Sequence, residues 1–228
     1  MPAIMNARVN PVSKILRNPF LVFYYLGRSF VWLITRLPYF RFIRDTQHSE
    51  TAISFQTWYT QKVRRINYAA YWPMHPSSIV SYPKNVYAGI NTCPGYNPGC
   101  YIHAVNGIYI GDYTQIGPNV GLMSGNHDLY DFRIQTEGGP IRIGKYCWIG
   151  MGAVILPEVE LGDFTIVGAG AIVTKSFPEG HCVIAGNPAQ KIRDLEREKA
   201  IPFSMDNPYN GYIPHDRFEE FRKRNLTI

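Results

Sequence analysis

Among the residues able to carry chemistry, His127 is marked by its setting: the run Ser124-Gly125-Asn126-His127-Asp128 places an imidazole among small and polar neighbours. Imidazole titrates near neutral pH, so it can take a proton from an attacking hydroxyl and give it up again. A base of this kind contributes about 10²–10⁴-fold to a rate. The other ring nitrogen needs an orienting group, and Asp128, Asp131 and Glu137 all follow closely. A backbone carbonyl would serve as well. The four cysteines, Cys93, Cys100, Cys147 and Cys182, form no C-x-x-C pair and have no histidine at zinc-finger spacing, which reads as free thiols in a reducing compartment.

The elements that must hold these residues show an unusual period. Nine positions spaced six apart, Ile110, Ile116, Leu122, Ile143, Ile149, Ile155, Leu161, Val167 and Val173, are all aliphatic, with one break after Leu122. Six are followed by glycine, and the fifth place of most hexads is small: Thr114, Val120, Cys147, Ala153, Val159, Thr165 and Ala171. No helix keeps that phase, because six residues turn through about 600° and the stripe would drift. Short strands joined by tight corners do keep it. Three hexads make a triangular coil, and each coil buries its interior against its neighbours, so the chain is read as a mainly β parallel β-helix, a solenoid. Glycine is expected to allow the backbone conformation of the corner, and Cys147 falls in the small interior slot.

The rhythm fails between Leu122 and Ile143, a step of 21 residues that reads as one coil of eighteen plus three. MSGNHDLYDFRIQTEGGP is therefore expected to leave the stack as an extruded loop with His127 at its root. Loops on rigid scaffolds are where chemistry concentrates.

Taken together, WPMHPSS, PGCYIHAVNGIYIGDYTQIGPNV, SGNHD, GPIRIGKYCWIGMGAVILPEV and VIAGNPAQKIR, across about residues 72 to 195, resemble the left-handed β-helix acyltransferases of the hexapeptide-repeat superfamily. The likeness is to the galactoside, maltose and xenobiotic O-acetyltransferase branch and to polysaccharide-modifying enzymes. The left hand comes from this resemblance alone. So does the expected activity: transfer of an acetyl group from acetyl-CoA to a sugar or glycan precursor, in a homotrimer whose subunits meet along the cofactor groove. The resemblance makes His127 the catalytic base; from the residues themselves Asp128 or Glu137 is the expected orienting partner, and His103, Asn106 and Asn126 are expected near the acceptor, with packing as the alternative for His103 and a positive-φ corner for Asn106. The resemblance assigns the cofactor groove to Trp148, Met151, Gly152, Ala169 and Gly170, and the phosphates to Thr174 and Lys175. Gln190 stands where the family carries Lys or Arg, and Lys191 or Arg193 could supply that charge. Alternatively, GNPAQ is the turn that starts a C-terminal helix with KIRDLEREKA as its charged face.

Two rival readings share the coil. Zinc carbonic anhydrases of this architecture take histidines from adjacent subunits, two of them five residues apart, but position 132 is Phe132 and no histidine follows until His181. No metal is expected. A non-catalytic scaffold or membrane adaptor would have no use for SGNH, WIG, VTK and GNPA together.

Charge sets the first third apart. Net charge is +6 over 228 residues, yet residues 1 to 66 hold ten Lys/Arg against Asp45 and Glu50, while the remainder is slightly acidic. A phosphate-tracking surface on the main domain is excluded, so no nucleic-acid partner is expected. PFLVFYYLGRSFVWLITRLPYFRFIRD, from Pro19 to Asp45, is apolar, interrupted by Arg28 and ended by Pro38, and is too short for a spanning helix, which needs about 20 apolar residues. Arg17, Arg28 and Arg36 on one side and Phe20, Phe23, Val31 and Ile34 on another read as a helix in a membrane interface, with packing on the protein itself as the alternative. Residues 19 to 45 are thus expected at the inner face of the cytoplasmic membrane, in a cytoplasmic protein whose acceptor is a lipid-linked glycan. Residues 50 to 66 read as a second helix. The organisation expected is a basic helical segment over 1–71, the β-helix over 72–190, and a C-terminal helix and tail over 191–228.

Overall fold

A computed structural model describes residues 21–136 and 138–228. The coils climb in chain order. Strands β1 (Ile79–Ser81) and β2 (Val86–Ala88) begin the stack, and β3 (Tyr101–His103), β4 (Ile108–Ile110), β5 (Gln115–Ile116) and β6 (Gly121–Met123) follow. After the loop come β7 (Ile141–Ile143), β8 (Trp148–Ile149), β9 (Val154–Ile155), β10 (Glu160–Leu161), β11 (Ile166–Val167) and β12 (Ile172–Val173). The hairpin of β13 (Cys182–Gly186) and β14 (Ala189–Asp194) closes the top. Three sheets result, β1-β3-β6-β9-β12, β2-β4-β7-β10 and β5-β8-β11-β13-β14, in which every pairing but that of β13 with β14 is parallel.

The register explains the period of six. Ile110 pairs with Ile143, Leu122 with Ile155 and Ile149 with Val167, each stacked on the like residue of the next coil. All nine aliphatic positions are buried, as are the seven small residues of the fifth slot. Cys147 is one of these, and burial pushes its thiol up to about 11. The glycines work differently from the expectation. A Cβ on Gly111 would stand 2.7 Å from the Gly144 carbonyl carbon, and one on Gly150 would stand 2.7 Å from the Ala169 amide nitrogen. These glycines let successive coils approach. The left-handed backbone falls elsewhere in the corners, on Tyr113, Tyr146, Phe164 and His181, all at positive φ. Their rings stack along one edge, with centroids 5.4, 4.9 and 4.9 Å apart.

Two further expectations change. Because β4, β5 and β6 pair directly with β7, β8 and β9, no coil is missing between Leu122 and Ile143. The 21-residue step is one six-residue side plus about fifteen inserted residues at a single corner. And KIRDLEREKA does not begin a helix: β14 covers residues 189–194 and runs past residue 190, giving the last strand of the third sheet a partner. A short 3-10 turn follows at Arg197–Lys199.

The N-terminal segment starts with α1 (Leu21–Ile34), then a 3-10 turn at Pro38–Phe40 and α2 (Arg41–Asp45). α3 (Phe55–Trp58) continues into a π-helical turn at Tyr59–Val63, which agrees with the second helix expected there. Phe40, Phe42 and Ile53 form a second core with Tyr209 of the hairpin β15 (Tyr209–Asn210) and β16 (Ile213–Pro214). Buried Gln61 ties this platform to the stack: Nε2 donates to the Trp72 carbonyl at 2.8 Å, and Oε1 accepts from the Met74 amide and the Tyr212 hydroxyl. The C-terminal helix, α4 (His215–Asn225), packs Phe218 into the main core.

Candidate active site

The inserted loop leaves β6 of the first sheet and returns to β7 of the second. Its two limbs run antiparallel, with His127 bridged to Gln135, the Asp128 amide donating to the Ile134 carbonyl and the Thr136 amide donating to the Asn126 carbonyl, both at 2.9 Å. Asn106, one coil below, holds the root. Its Nδ2 donates to the Ser124 carbonyl at 2.9 Å and to the Thr136 carbonyl at 3.4 Å, one contact on each limb. From the coil above, Glu158 Oε1 accepts from the Gly139 amide at 3.0 Å. Ser124 is itself buried, and its hydroxyl donates to the His103 carbonyl at 3.1 Å. The loop is therefore fixed at its base from below and above.

His127 is exposed on this base, as is Asn126. Asp128 is occupied differently from the orienting role: its Oδ1 accepts from the Tyr130 and Asp131 amides at 2.8 and 2.9 Å, which holds its carboxyl below the usual range and shapes the loop tip. Asp131 pairs with Arg133 at 2.7 Å. Glu137 lies outside the described residues. His103 is half-buried between Tyr101, whose ring stacks on it at 6.3 Å, and Tyr82 at 5.6 Å, and its Nδ1 has no partner among the described residues. Ser124, Thr136 and Glu158 escaped the sequence reading, since nothing in their spacing ties them to residues a coil away.

The proposed groove residues gather on the corner between the third and first sheets. Met151-Gly152 and Ala169-Gly170 occupy it on successive coils, joined by the Gly170 amide donating to the Met151 carbonyl at 2.8 Å. Gly152 and Gly170 both have φ of +68, and a Cβ on either would meet nothing within 4 Å. This is an open ledge that backbone alone lines, suited to a long polar ribbon. Trp148, on the strand leading into it, is exposed, as is Met151. Thr174 and Lys175 follow β12 at the other edge of the first sheet, on the side of the histidine loop. Lys175 Nζ donates to Gln190 Oε1 at 2.8 Å, so the amide that replaces the family's cation sits against the lysine next to it. Lys191 is paired with Asp194 at 2.8 Å, and Arg193 stands exposed on β14.

The described residues thus form stacked three-sided coils with a clamped histidine loop and a backbone-lined ledge. Residues 140–175 match the family model described as bacterial transferase hexapeptide (six repeats). The galactoside O-acetyltransferase of Escherichia coli (strain K12) is 37% identical over 134 residues, 57% of this chain and 64% of that protein. A second relative from the same strain, WcaF, named for colanic acid biosynthesis, is 33% identical over 121 residues, 53% of this chain and 65% of the relative. The solved structure of a galactoside acetyltransferase in complex with coenzyme A matches with a TM-score of 0.55 at 29% identity, covering 75% of this chain and 86% of that one. Over its stack of coils the chain is similar to the hexapeptide-repeat transferases. It spans 64% and 65% of the length of the two curated relatives.

Proposed function

We propose that the chain is an acetyltransferase that moves the acetyl group of acetyl-CoA onto a hydroxyl of a sugar or glycan precursor, with His127 as general base. The observation that carries this reading is the double clamp of Asn106 and Glu158, which holds an exposed imidazole on an otherwise rigid stack. The imidazole takes the hydroxyl proton while the oxygen bonds to the thioester carbonyl carbon. The carbon–sulfur bond then breaks, and the proton passes to the departing thiolate. Trp148, Met151, Gly152, Ala169 and Gly170 line the ledge for the pantetheine arm, and Thr174 and Lys175 face the phosphates. The coenzyme A complex of the galactoside acetyltransferase supports that assignment. The names of the galactoside and colanic acid relatives support a sugar acceptor.

The active unit in this reading is a homotrimer. His127 and the ledge stand at opposite edges of the first sheet, so a site needs the loop of one copy against the ledge of another. Two features support this. The outward column of that sheet, Ile79, Tyr101, Gly121, Val154 and Ile172, is apolar, and Tyr130 at the loop tip is 96% exposed beside Leu129 and Phe132. The basic, aromatic first third supports an acceptor held at the inner face of the cytoplasmic membrane, such as a lipid-linked glycan.

The test is thiol release from acetyl-CoA against a panel of sugars, nucleotide sugars and lipid-linked sugars. His127→Ala should lower kcat about 10²–10⁴-fold with the KM for acetyl-CoA unchanged. Transfer at the wild-type rate by that variant would remove the base assignment.

A further inference from the structure

The aromatic segment divides into two parts with different fates. Past Pro38 it packs, as Phe40 and Phe42 enter the second core. In α1 it does not. Val22, Leu26, Phe30 and Leu33, spaced four, four and three residues apart with Phe23 beside them, form one stripe about 100° wide. Phe23 is 73% exposed, Leu26 60%, Phe30 61% and Leu33 62%. Ile34 and Val31, expected to share a face with Phe23, instead turn partly inward, and Ile34 packs on the second core. Phe20 and Arg17 lie outside the described residues.

We infer that this stripe is a docking face for an anionic lipid bilayer, on which α1 lies in the interface plane. The inference deepens the membrane-face part of the proposed function but does not depend on acyl transfer. Charge selects the occupant. Arg28 lies on the side of α1 away from the stripe, Arg36 follows the last turn of the helix, Arg41 and Arg44 come next, and the first 66 residues hold ten basic groups against two acidic ones. The Arg36 guanidinium stands 4.0 Å over the Trp32 ring, placing a cation and an amphipathic aromatic together at the border of the stripe. Tyr39, exposed just past Pro38, repeats that chemistry. Apolar side chains in the acyl boundary with Trp, Tyr and Arg at headgroup depth is the arrangement of an interfacial helix. At 14 residues α1 is about 21 Å long, and no helix among the described residues is long and apolar enough to cross a membrane. The orientation is therefore parallel to the surface.

The full chain, without acceptor or acetyl-CoA, is floated with vesicles of phosphatidylcholine and with vesicles of phosphatidylcholine plus phosphatidylglycerol. Wild type should rise with the anionic vesicles, less so as salt increases. L26E/F30E should partition about a hundredfold less or worse, and R36E about fivefold less. Both variants should keep the wild-type circular dichroism, the wild-type mass by light scattering and acetyl transfer to a soluble sugar. Equal flotation of wild type and L26E/F30E would overturn the inference, as would wild type staying below the anionic vesicles. A fall in mass of L26E/F30E in solution would also overturn it, assigning the stripe to a second copy of the chain. Loss of transfer in His127→Ala leaves flotation and mass unchanged, so the two proposals fail separately.

Discussion

The coil stack and the loop inserted into it follow opposite physical rules. In the stack each inward side chain is buried by the coils below and above, and its place is set by repetition. In the loop the side chains face out, and position depends on a few polar contacts at the base, above all those of Asn106 and Glu158. A repeating core makes a stiff frame from many equivalent contacts. A functional loop spends few contacts, so each one matters more to geometry than to stability.

That contrast can be broken at either end. The largest effect on stability should come from the stack: Leu122→Ala, at a position with no exposure, should cost about 2–5 kcal/mol, read from urea unfolding. A cost below about 1 kcal/mol would show that neighbouring coils close over the void. At the loop, Asn106→Ala should cost only about 1 kcal/mol of stability, yet lower kcat about tenfold with the KM for acetyl-CoA unchanged, because the imidazole loses its tether. Equal losses in both readouts would mean that Asn106 serves the fold alone.

Smaller effects sharpen the comparison at the foot of the stack. Lys62 Nζ donates to the Ala70 and Tyr68 carbonyls at 2.8 and 3.1 Å, and burial lowers its pKa to about 8 from 10.5. The unfolded chain therefore binds more protons between those values, so the contribution of Lys62 rises with pH from about 8 toward 10.5 and is flat below. The difference in urea midpoint between wild type and Lys62→Met should move in favour of wild type across that window and stay constant below it. Other groups titrating there are common to both chains and cancel. Last, all four thiols are buried, and burial raises Cys93 to about 12 and Cys147 to about 11. Ellman's reagent at pH 8 should react with them about a hundredfold or more slower in native protein than in urea. Fast reaction of Cys147 would mean that the coils open locally.

The period of six was legible because each aliphatic residue meets its like one coil away, so a local spacing encodes a tertiary contact. The first coil was not. Val80 stacks beneath Ile102, and Ala88 beneath Ile110, across steps of 22 residues, because the turn over Thr92–Pro98 lengthens that coil. The same kind of error made the histidine loop look like a lost coil. An insertion at a corner and a coil out of phase leave similar traces in a sequence, and only strand pairing separates them. KIRDLEREKA misled for a related reason: its charges suit a helix face or an exposed edge strand equally, and the unpaired edge of β13 decided between them.

Sequence by itself determined the solenoid, the interior column and the identity of the exposed imidazole, since those depend on residue type at a fixed spacing. Tertiary structure alone decided what the spacing could not carry. It assigned the glycines to coil-to-coil approach, set Asp128 to cap its own loop, gave Asn106 and Glu158 the tether, and covered Phe40 and Phe42 while leaving the stripe of α1 bare. In each case the partner lies on another coil or another module, and distance along the chain holds no record of it.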